Sequence, residues 1–281
     1  MRSGLTGRLS KALAFRLLGI ISRPCLQRPL ELGQRLILAG MNVGRGSDPT
    51  RSGEAYVLRY CRDLFAPAGE LTVFDVGANA GSWARLALAV LGRCRIYCFE
   101  PSPLAFQGLI ENTKPFAEAV VALNIGLGEA ECDAWLYAET PGSALSSMYK
   151  RVMDHFGITS FDAHERVNIR RLDDVRRELG VSRIHLLKLD VEGHELRVLQ
   201  GAQQALQEGI IDCIQFEFGG CDIDSRTFLR DFFYFLTPYG YQLYRVLQKG
   251  LWPLKCYRET DEIFITTNYL AVRLGVERRP E

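Results

Sequence analysis

The sequence predicts an α/β fold, a mostly parallel sheet with helices on both faces, and three observations predict it. Short apolar runs alternate along the chain with stretches of helical periodicity, the rhythm of strand–helix–strand units. Those runs are apolar on both faces, as strands covered by helices on either side must be. Two strand runs, residues 241–246 and 262–267, follow one another near the end with no helix between them, which implies an antiparallel pair at the sheet edge. The expected sheet is seven-stranded, mostly parallel, with an antiparallel terminal strand.

Ahead of the first strand, residues 51–65 read as a helix with Tyr56, Tyr60 and Leu64 on one face, broken by Ala66-Pro67-Ala68-Gly69. Val73, Phe74 and Val76 then make a buried strand. Gly77 and Gly81 allow a sharp turn and a close backbone approach. Trp83, Leu86, Ala87 and Val90 at helical spacing carry a helix over residues 82–91. Strand, glycine loop and helix N-terminus form a cradle whose free N–H groups face a small ligand. The dinucleotide pattern G-x-G-x-x-G is absent. The acid Asp75 precedes the glycines, an arrangement that repels a pyrophosphate and suits a cationic or amine-bearing ligand. The D-x-G-x-N-x-G pattern resembles the first motif of class I methyltransferases, with Asn79 where many members carry a second glycine. The ligand this implies is S-adenosylmethionine, which holds a sulfonium and an ammonium.

The second strand, Arg95-Ile96-Tyr97-Cys98-Phe99, ends at Glu100, 25 residues after Asp75. In a doubly wound sheet an acid at that tip accepts the ribose hydroxyls. Pro101 stops the strand and Ser102-Pro103 opens a helix over residues 103–113. Residues 120–125 form a third strand. Asn124 closes it, either reading the edge of an adenine ring or capping a turn. Residues 127–137 depart from the rhythm: Trp135-Leu136-Tyr137 reads as an inserted strand, half of a hairpin. The polar loop of residues 140–147 is expected to close over the ligand or simply to be flexible. Val167-Asn168-Ile169 is a short strand, and Leu172-Asp173-Asp174-Val175 opens a helix. Residues 184–190 and 211–218 are the fourth and fifth buried strands, separated by Leu196, Leu199 and Ala202 at helical spacing; residues 225–236 are the next helix.

The second chemical stretch is Lys188-Leu189-Asp190-Val191-Glu192-Gly193-His194-Glu195. Together with Phe74-Asp75-Val76-Gly77-Ala78-Asn79-Ala80-Gly81, Phe99-Glu100-Pro101 and Arg171-Leu172-Asp173-Asp174, in that order along the chain, it resembles the FkbM-type methyltransferase family over residues 56–270. The resemblance implies a Rossmann-like class I methyltransferase fold and S-adenosylmethionine-dependent O-methylation of a hydroxyl on a sugar, glycan or natural-product acceptor. It further implies that Asp75, Gly77, Ala78, Asn79 and Gly81 hold the methionine part, Glu100 with Pro101 the ribose, and Asp190 the region near the sulfonium, with Asn124 beside the adenine. A sugar hydroxyl is a weak nucleophile, so a general base is expected among Asp190, Glu192, His194 and Glu217, with Asp190 or Glu192 favoured. His194 also reads as an exposed first-turn residue, and Lys188 as a neutraliser of the acids. The carboxylates are not expected to hold a metal. Tyr239, Tyr241, Tyr244, Trp252 and Tyr257 either stack on a sugar or pack in the core.

Composition adds limits. With 47% hydrophobic and 24% charged residues and a net charge of +1, the chain is ordinary globular material with no global signal for nucleic acid. Its 8 cysteines show no C-x-x-C metal spacing. Cys94, Cys98 and Cys213 fall in strand runs, which suits reduced thiols in the cytoplasm. Residues 1–50 carry eight basic against two acidic side chains, net +6, with Leu5, Leu9, Leu13, Leu17, Ile20 and Ile21 along one face. That segment is too short in its apolar run to span a membrane and shows no clear signal cleavage site. It reads as a helical extension, residues 1–50, that caps the main domain, residues 51–281, or contacts an acidic membrane surface as a peripheral element. Two further functions are compatible with parts of the pattern: a nucleotide-linked oxidoreductase or epimerase, and a non-catalytic methyltransferase-like binding module.

Overall fold

The computed structural model describes residue 19, residues 21–45 and residues 48–276. The face carried by Leu5, Leu9, Leu13 and Leu17, with Ile20, lies outside the described residues. Two compact units divide after Val43. Among the described residues the first contains the helix Pro24–Gly40. Among the described residues no helix is long and apolar enough to cross a membrane.

Among its described residues the second unit holds eleven strands: β1 (Leu71–Val76), β2 (Cys94–Phe99), β3 (Val120–Leu123), β4 (Gly126–Leu127), β5 (Cys132–Ala138), β6 (Ala163–Arg170), β7 (Ile184–Leu189), β8 (Ile211–Phe218), β9 (Tyr241–Leu247), β10 (Gly250–Leu254) and β11 (Thr267–Arg273). Eight of them form one sheet in the order β10-β9-β11-β8-β7-β1-β2-β3. The pairs from β8 to β3 are all parallel. The pairs β8–β11, β11–β9 and β9–β10 are antiparallel. The order reverses at β1, whose neighbours are β2 and β7, so the C-terminal tips of these three strands open one crevice.

Alternating side chains of each strand serve different cores. Phe74 and Val76 pack with Phe99, Leu189 and Phe216 under the helices Leu172–Glu178, Glu195–Gln200 and Leu229–Leu236. Val73 packs with Ile96, Cys98, Leu186 and Cys213 under the helices Glu54–Leu64 and Ser82–Leu91. Burial on both faces is why these runs are apolar throughout. The strand cysteines behave as small apolar residues, Cys98 and Cys213 being fully buried.

Four expectations need correction. The main sheet has eight strands, because Gly250–Leu254 adds an antiparallel edge strand beyond β9. Its Pro253 is tolerated there, an edge strand having one side without ladder bonds. The final strand is Thr267–Arg273 rather than residues 262–267, since the Glu262 carboxylate accepts from the N–H groups of Leu229 and Arg230, 2.9 Å each, and caps a helix start. The helix expected over residues 51–65 breaks at Gly53 (φ 94°), where β9 approaches so closely that a Cβ would stand 2.7 Å from the Leu247 carbonyl oxygen. The helix expected over residues 225–236 becomes two, Cys221–Ser225 and Leu229–Leu236, parted at Arg226 with φ 58°.

The inserted strand is real and has company. β5 pairs antiparallel with β6, and β4 pairs parallel with β6, making a separate three-stranded sheet. One face is apolar, with Leu136, Val167 and Ile169 buried together; the other exposes Trp135.

Candidate active site

The loop after β1 is stitched to the tips of both neighbouring strands. The N–H groups of Gly77 and Ala78 donate to the Phe99 carbonyl of β2, 3.0 Å each, and the Asp190 N–H beyond β7 donates to the Val76 carbonyl at 3.0 Å. Gly77 has φ 79°, and a Cβ there would lie 1.8 Å from the Asp190 carbonyl oxygen. Only glycine fits. Asn79 adopts φ 44°, a left-handed conformation that asparagine tolerates by bonding locally, here from the Ala80 N–H to its Oδ1 at 2.8 Å.

Glu100 is 5% exposed at the β2 tip. Its Oε2 accepts from the Asn79 N–H and its Oε1 from the Ser102 N–H, both at 2.8 Å. Burial pushes its pKa up to about 7, against the pull of those two N–H groups. The carboxylate is therefore fixed in direction and keeps lone pairs for further donors. Asn124 is spent on the same tip: its Nδ2 donates to the carbonyls of Glu100 (2.8 Å) and Pro101 (3.1 Å), the turn-capping of its two expected roles.

Asp75 lies beneath the loop, fully buried. The register of β1 and β7 sets it beside Lys188, whose Nζ is 3.3 Å from Asp75 Oδ1 and 3.1 Å from Asp190 Oδ2. The same ammonium stands 5.3 Å from the centre of the Trp83 ring. Burial alone would depress Lys188, but Asp190, Asp75 and Glu54 hold its pKa above the usual value. Burial likewise raises Asp75, opposed by Lys188. The motif acid thus reaches the crevice through a Lys188 bridge to Asp190, and Lys188 does neutralise the acids.

The loop after β7 is held differently. Glu192 takes φ 52°, outside the usual range for a non-glycine residue. Its carbonyl accepts from Ser147 Oγ at 2.7 Å, and its Oε2 accepts from Arg151 Nη1 at 2.6 Å. Burial, then the nearby Asp190, pushes the Glu192 pKa up to about 7, with Arg151 pulling it down. Glu195 clamps the loop backbone, accepting from the N–H groups of Val191 (2.9 Å) and Gly193 (3.0 Å). His194 is buried, its Nδ1 3.1 Å from the Tyr149 hydroxyl and its Nε2 3.7 Å from Glu129. Burial drops its pKa to about 4, so the ring is neutral near pH 7. His194 is not an exposed first-turn residue.

These parts enclose a cleft with about 560 Å³ of empty space, its open mouth included. Of the expected site residues, Gly77, Asn79, Glu100, Pro101, Asp190, Glu192 and His194 line it. Asp75, Ala78, Gly81, Asn124 and Glu217 are not among the lining residues. Glu217, on β8, is half-buried, and burial with the charges of Asp190, Glu192 and Glu195 raises its pKa well above the usual value. None of Tyr239, Tyr241, Tyr244, Trp252 and Tyr257 lines the cleft; the buried Tyr241 hydroxyl bonds the Ile211 carbonyl. Among the described residues no cluster of three or more His, Cys, Asp or Glu has an arrangement that could hold a metal ion.

The remaining wall comes from the insert. Leu136 and Ile169 of the small sheet, with Ser143, Ala144, Ser146 and Met148, cover the cleft. For the loop of residues 140–147 the sequence leaves a cover and simple flexibility both open; the structure sets Ser143, Ala144 and Ser146 against the cleft. Ser147, Tyr149 and Arg151, which grip the β7 loop, carried no signal of that role.

A family model described as the methyltransferase FkbM domain matches residues 75–243. The 2-O-methyltransferase NoeI of Sinorhizobium fredii is 30% identical over 146 residues, covering 48% of this chain and 58% of that protein. The hexuronic acid methyltransferase AglP of Haloferax volcanii is 29% identical over 135 residues, covering 48% of this chain and 51% of that protein. The chain thus spans about half the length of these curated relatives. Among solved structures, the N-terminal domain of human METTL16 in complex with SAH aligns at 11% identity and a TM-score of 0.45, covering 79% of this chain and 70% of that chain.

Proposed function

The chain belongs to the FkbM family of methyltransferases, and on that premise we propose that it is an S-adenosylmethionine-dependent O-methyltransferase acting on a hydroxyl of a sugar, glycan or natural-product acceptor. The observation that carries the reading is the Glu100 carboxylate. It is aimed by two backbone N–H groups into a cleft that also holds Asp190, whose side chain is 39% exposed. Acceptor oxygens suit the two ribose hydroxyls, the second carboxylate suits a cationic centre, and apolar walls of Val76, Phe99, Leu127 and Leu136 suit a flat ring. The residues present therefore fit the cofactor. When bound it supplies a methyl group on a sulfonium, already a good leaving group.

The chain's own work is alignment and proton handling. Gly77, Asn79 and Glu100 orient the cofactor, and the small sheet with the loop of residues 140–147 excludes water. Glu192 takes the proton from the acceptor hydroxyl; a carboxylate with a pKa of about 7 is matched to that task near neutrality. Arg151 fixes the direction of that carboxylate. His194, with its pKa of about 4, is a poorer base and holds Tyr149 in place. Asp190 anchors the cofactor side through Lys188. A cytoplasmic setting suits the buried strand thiols.

Thermal melting with separate additions of S-adenosylmethionine, S-adenosylhomocysteine and NAD tests the cofactor. A ligand at about a hundred times its dissociation constant stabilises by roughly 2.7 kcal/mol. The expected result is a shift with both adenosyl ligands and none with NAD. A shift with NAD alone overturns the reading in favour of an oxidoreductase. With the cofactor established, methyl transfer to a panel of sugar hydroxyls tests the acceptor class; transfer only to nitrogen or carbon acceptors overturns O-methylation.

A further inference from the structure

We propose that the helix Pro24–Gly40 docks on an anionic lipid surface, lying in the plane of the interface. This 17-residue helix has no buried residue. Leu30, Leu32, Leu36 and Ile37 are 43%, 60%, 67% and 65% exposed. At about 100° per residue they fall, with Leu26, on one half of the helix circumference. Gln27, Arg28, Glu31, Gln34 and Arg35 occupy the other half, where Pro24, Leu38 and Ala39 are the apolar exceptions. Exposed apolar side chains gathered on one face cost free energy in water and need a cover.

Charge and shape select the cover. Arg23, Arg28 and Arg35 stand in or beside the helix against the single acid Glu31, within a segment of residues 1–50 that carries net +6. That balance is complementary to an anionic headgroup layer and would repel a second copy of itself. A helix–helix seam also needs a narrow stripe of large side chains at heptad spacing. Here the apolar half is broad, and Pro29 and Gly33 sit within it, offering no knobs. Among the described residues no helix is long and apolar enough to cross a membrane, so the helix lies on the surface, apolar half inward, arginines at headgroup level.

Vesicle flotation of the full chain tests this, using phosphatidylcholine vesicles with and without phosphatidylglycerol. The expected result is binding to the anionic vesicles, weak binding to phosphatidylcholine alone, and release at high salt. Arg28→Gln with Arg35→Gln should weaken binding to anionic vesicles by about tenfold or more. Leu32→Ser with Leu36→Ser should abolish it. Those side chains are exposed, so the melting temperature and its shift with S-adenosylhomocysteine should stay unchanged, which separates a docking defect from misfolding. Equal binding to both vesicle types, insensitive to salt, overturns the proposal. So does an absence of vesicle binding together with a dimer in solution that Leu32→Ser with Leu36→Ser dissociates, since a second copy would then be the cover.

Discussion

The two loops at the mouth of the crevice are built on opposite plans. Each follows a parallel strand, and each needs positive φ angles: Gly77, Asn79 and Gly81 after β1, Glu192 and Gly193 after β7. The β1 loop is held by backbone, through the Phe99 carbonyl, and by two side chains, Glu100, 21 residues ahead, and Asn112, whose Nδ2 donates to the Ala80 carbonyl at 2.9 Å. The β7 loop is held in large part by side chains from far away, Ser147 at a separation of 45 residues, Arg151 at 41 and Tyr149 at 45. The contrast teaches how the labour is divided. The half proposed to hold the cofactor is assembled mainly by neighbouring strand tips of the main sheet, with Leu127 and Leu136 of the small sheet added to its wall. The half proposed to handle the proton takes its final form only when the inserted segment docks, so the segment is both wall and clamp.

The largest expected effect comes from the point where the two loops touch. Gly77→Ala should destabilise the protein by several kcal/mol, since its Cβ would meet backbone on a neighbouring strand tip that cannot yield cheaply. Gly157→Ala is the control: its φ is also 79°, in the left-handed region, but nothing lies within 4 Å of its Cβ, so only about 1–2 kcal/mol of left-handed strain is expected. Chemical denaturation of both variants measures the difference. If they unfold alike, the loops are not one packed unit.

Next in size is the chemical step. Glu192→Gln should lower kcat by roughly 10²–10⁴ while sparing the thermal shift with S-adenosylhomocysteine. In the parent, kcat should rise with pH through an apparent pKa near 7, and this limb should vanish in the variant. A limb that survives Glu192→Gln would move the base to Asp190 or His194. Arg151→Gln should cost less and shift the limb upward, because Arg151 is what pulls the Glu192 pKa down; Arg151→Lys should bring the limb part of the way back.

The smallest effect is on stability. Glu100 and Glu192 have folded pKa values raised to about 7 from an ordinary 4.5. The folded chain therefore holds protons that the unfolded chain has released. Their contribution is fully present below about pH 4.5 and is lost as pH rises through 7. His194 runs the other way: depressed to about 4, its contribution is present above pH 6.5 and lost as pH falls through 4. Asp222 is raised to about 7 as well, and His185 is depressed like His194; the raised carboxyls outnumber the imidazoles, so stability should fall from pH 5.5 to pH 8, by roughly 1–2 kcal/mol per carboxyl. Glu192→Gln should flatten the slope more than Glu100→Gln, which also loses the β1 loop. A midpoint that rises with pH would show that the β7 acids are less buried than their packing implies.

Much of this molecule was legible in its residues. The apolar runs of β1, β2, β7 and β8, the glycines of the first loop and the acids at three strand tips follow from local rules: side-chain period, turn conformations and where a strand must end. The family signature rests on the same local stretches. Tertiary structure decided what those residues face. Asp75 looks like a ligand carboxylate in the sequence, yet the β1–β7 register turns it onto Lys188. Glu195 is one more acid of the second motif in the sequence and in the fold clamps the backbone of the β7 loop. Glu262 looks like the start of a strand and caps a helix 33 residues earlier. Arg151 carried no signal at all, because a buried cation is recognised only by the acid it meets, and that meeting is set by the docking of a whole segment. Local periodicity is written residue by residue; the pairing of charges across a core is a property of distance in space, which no spacing along the chain encodes.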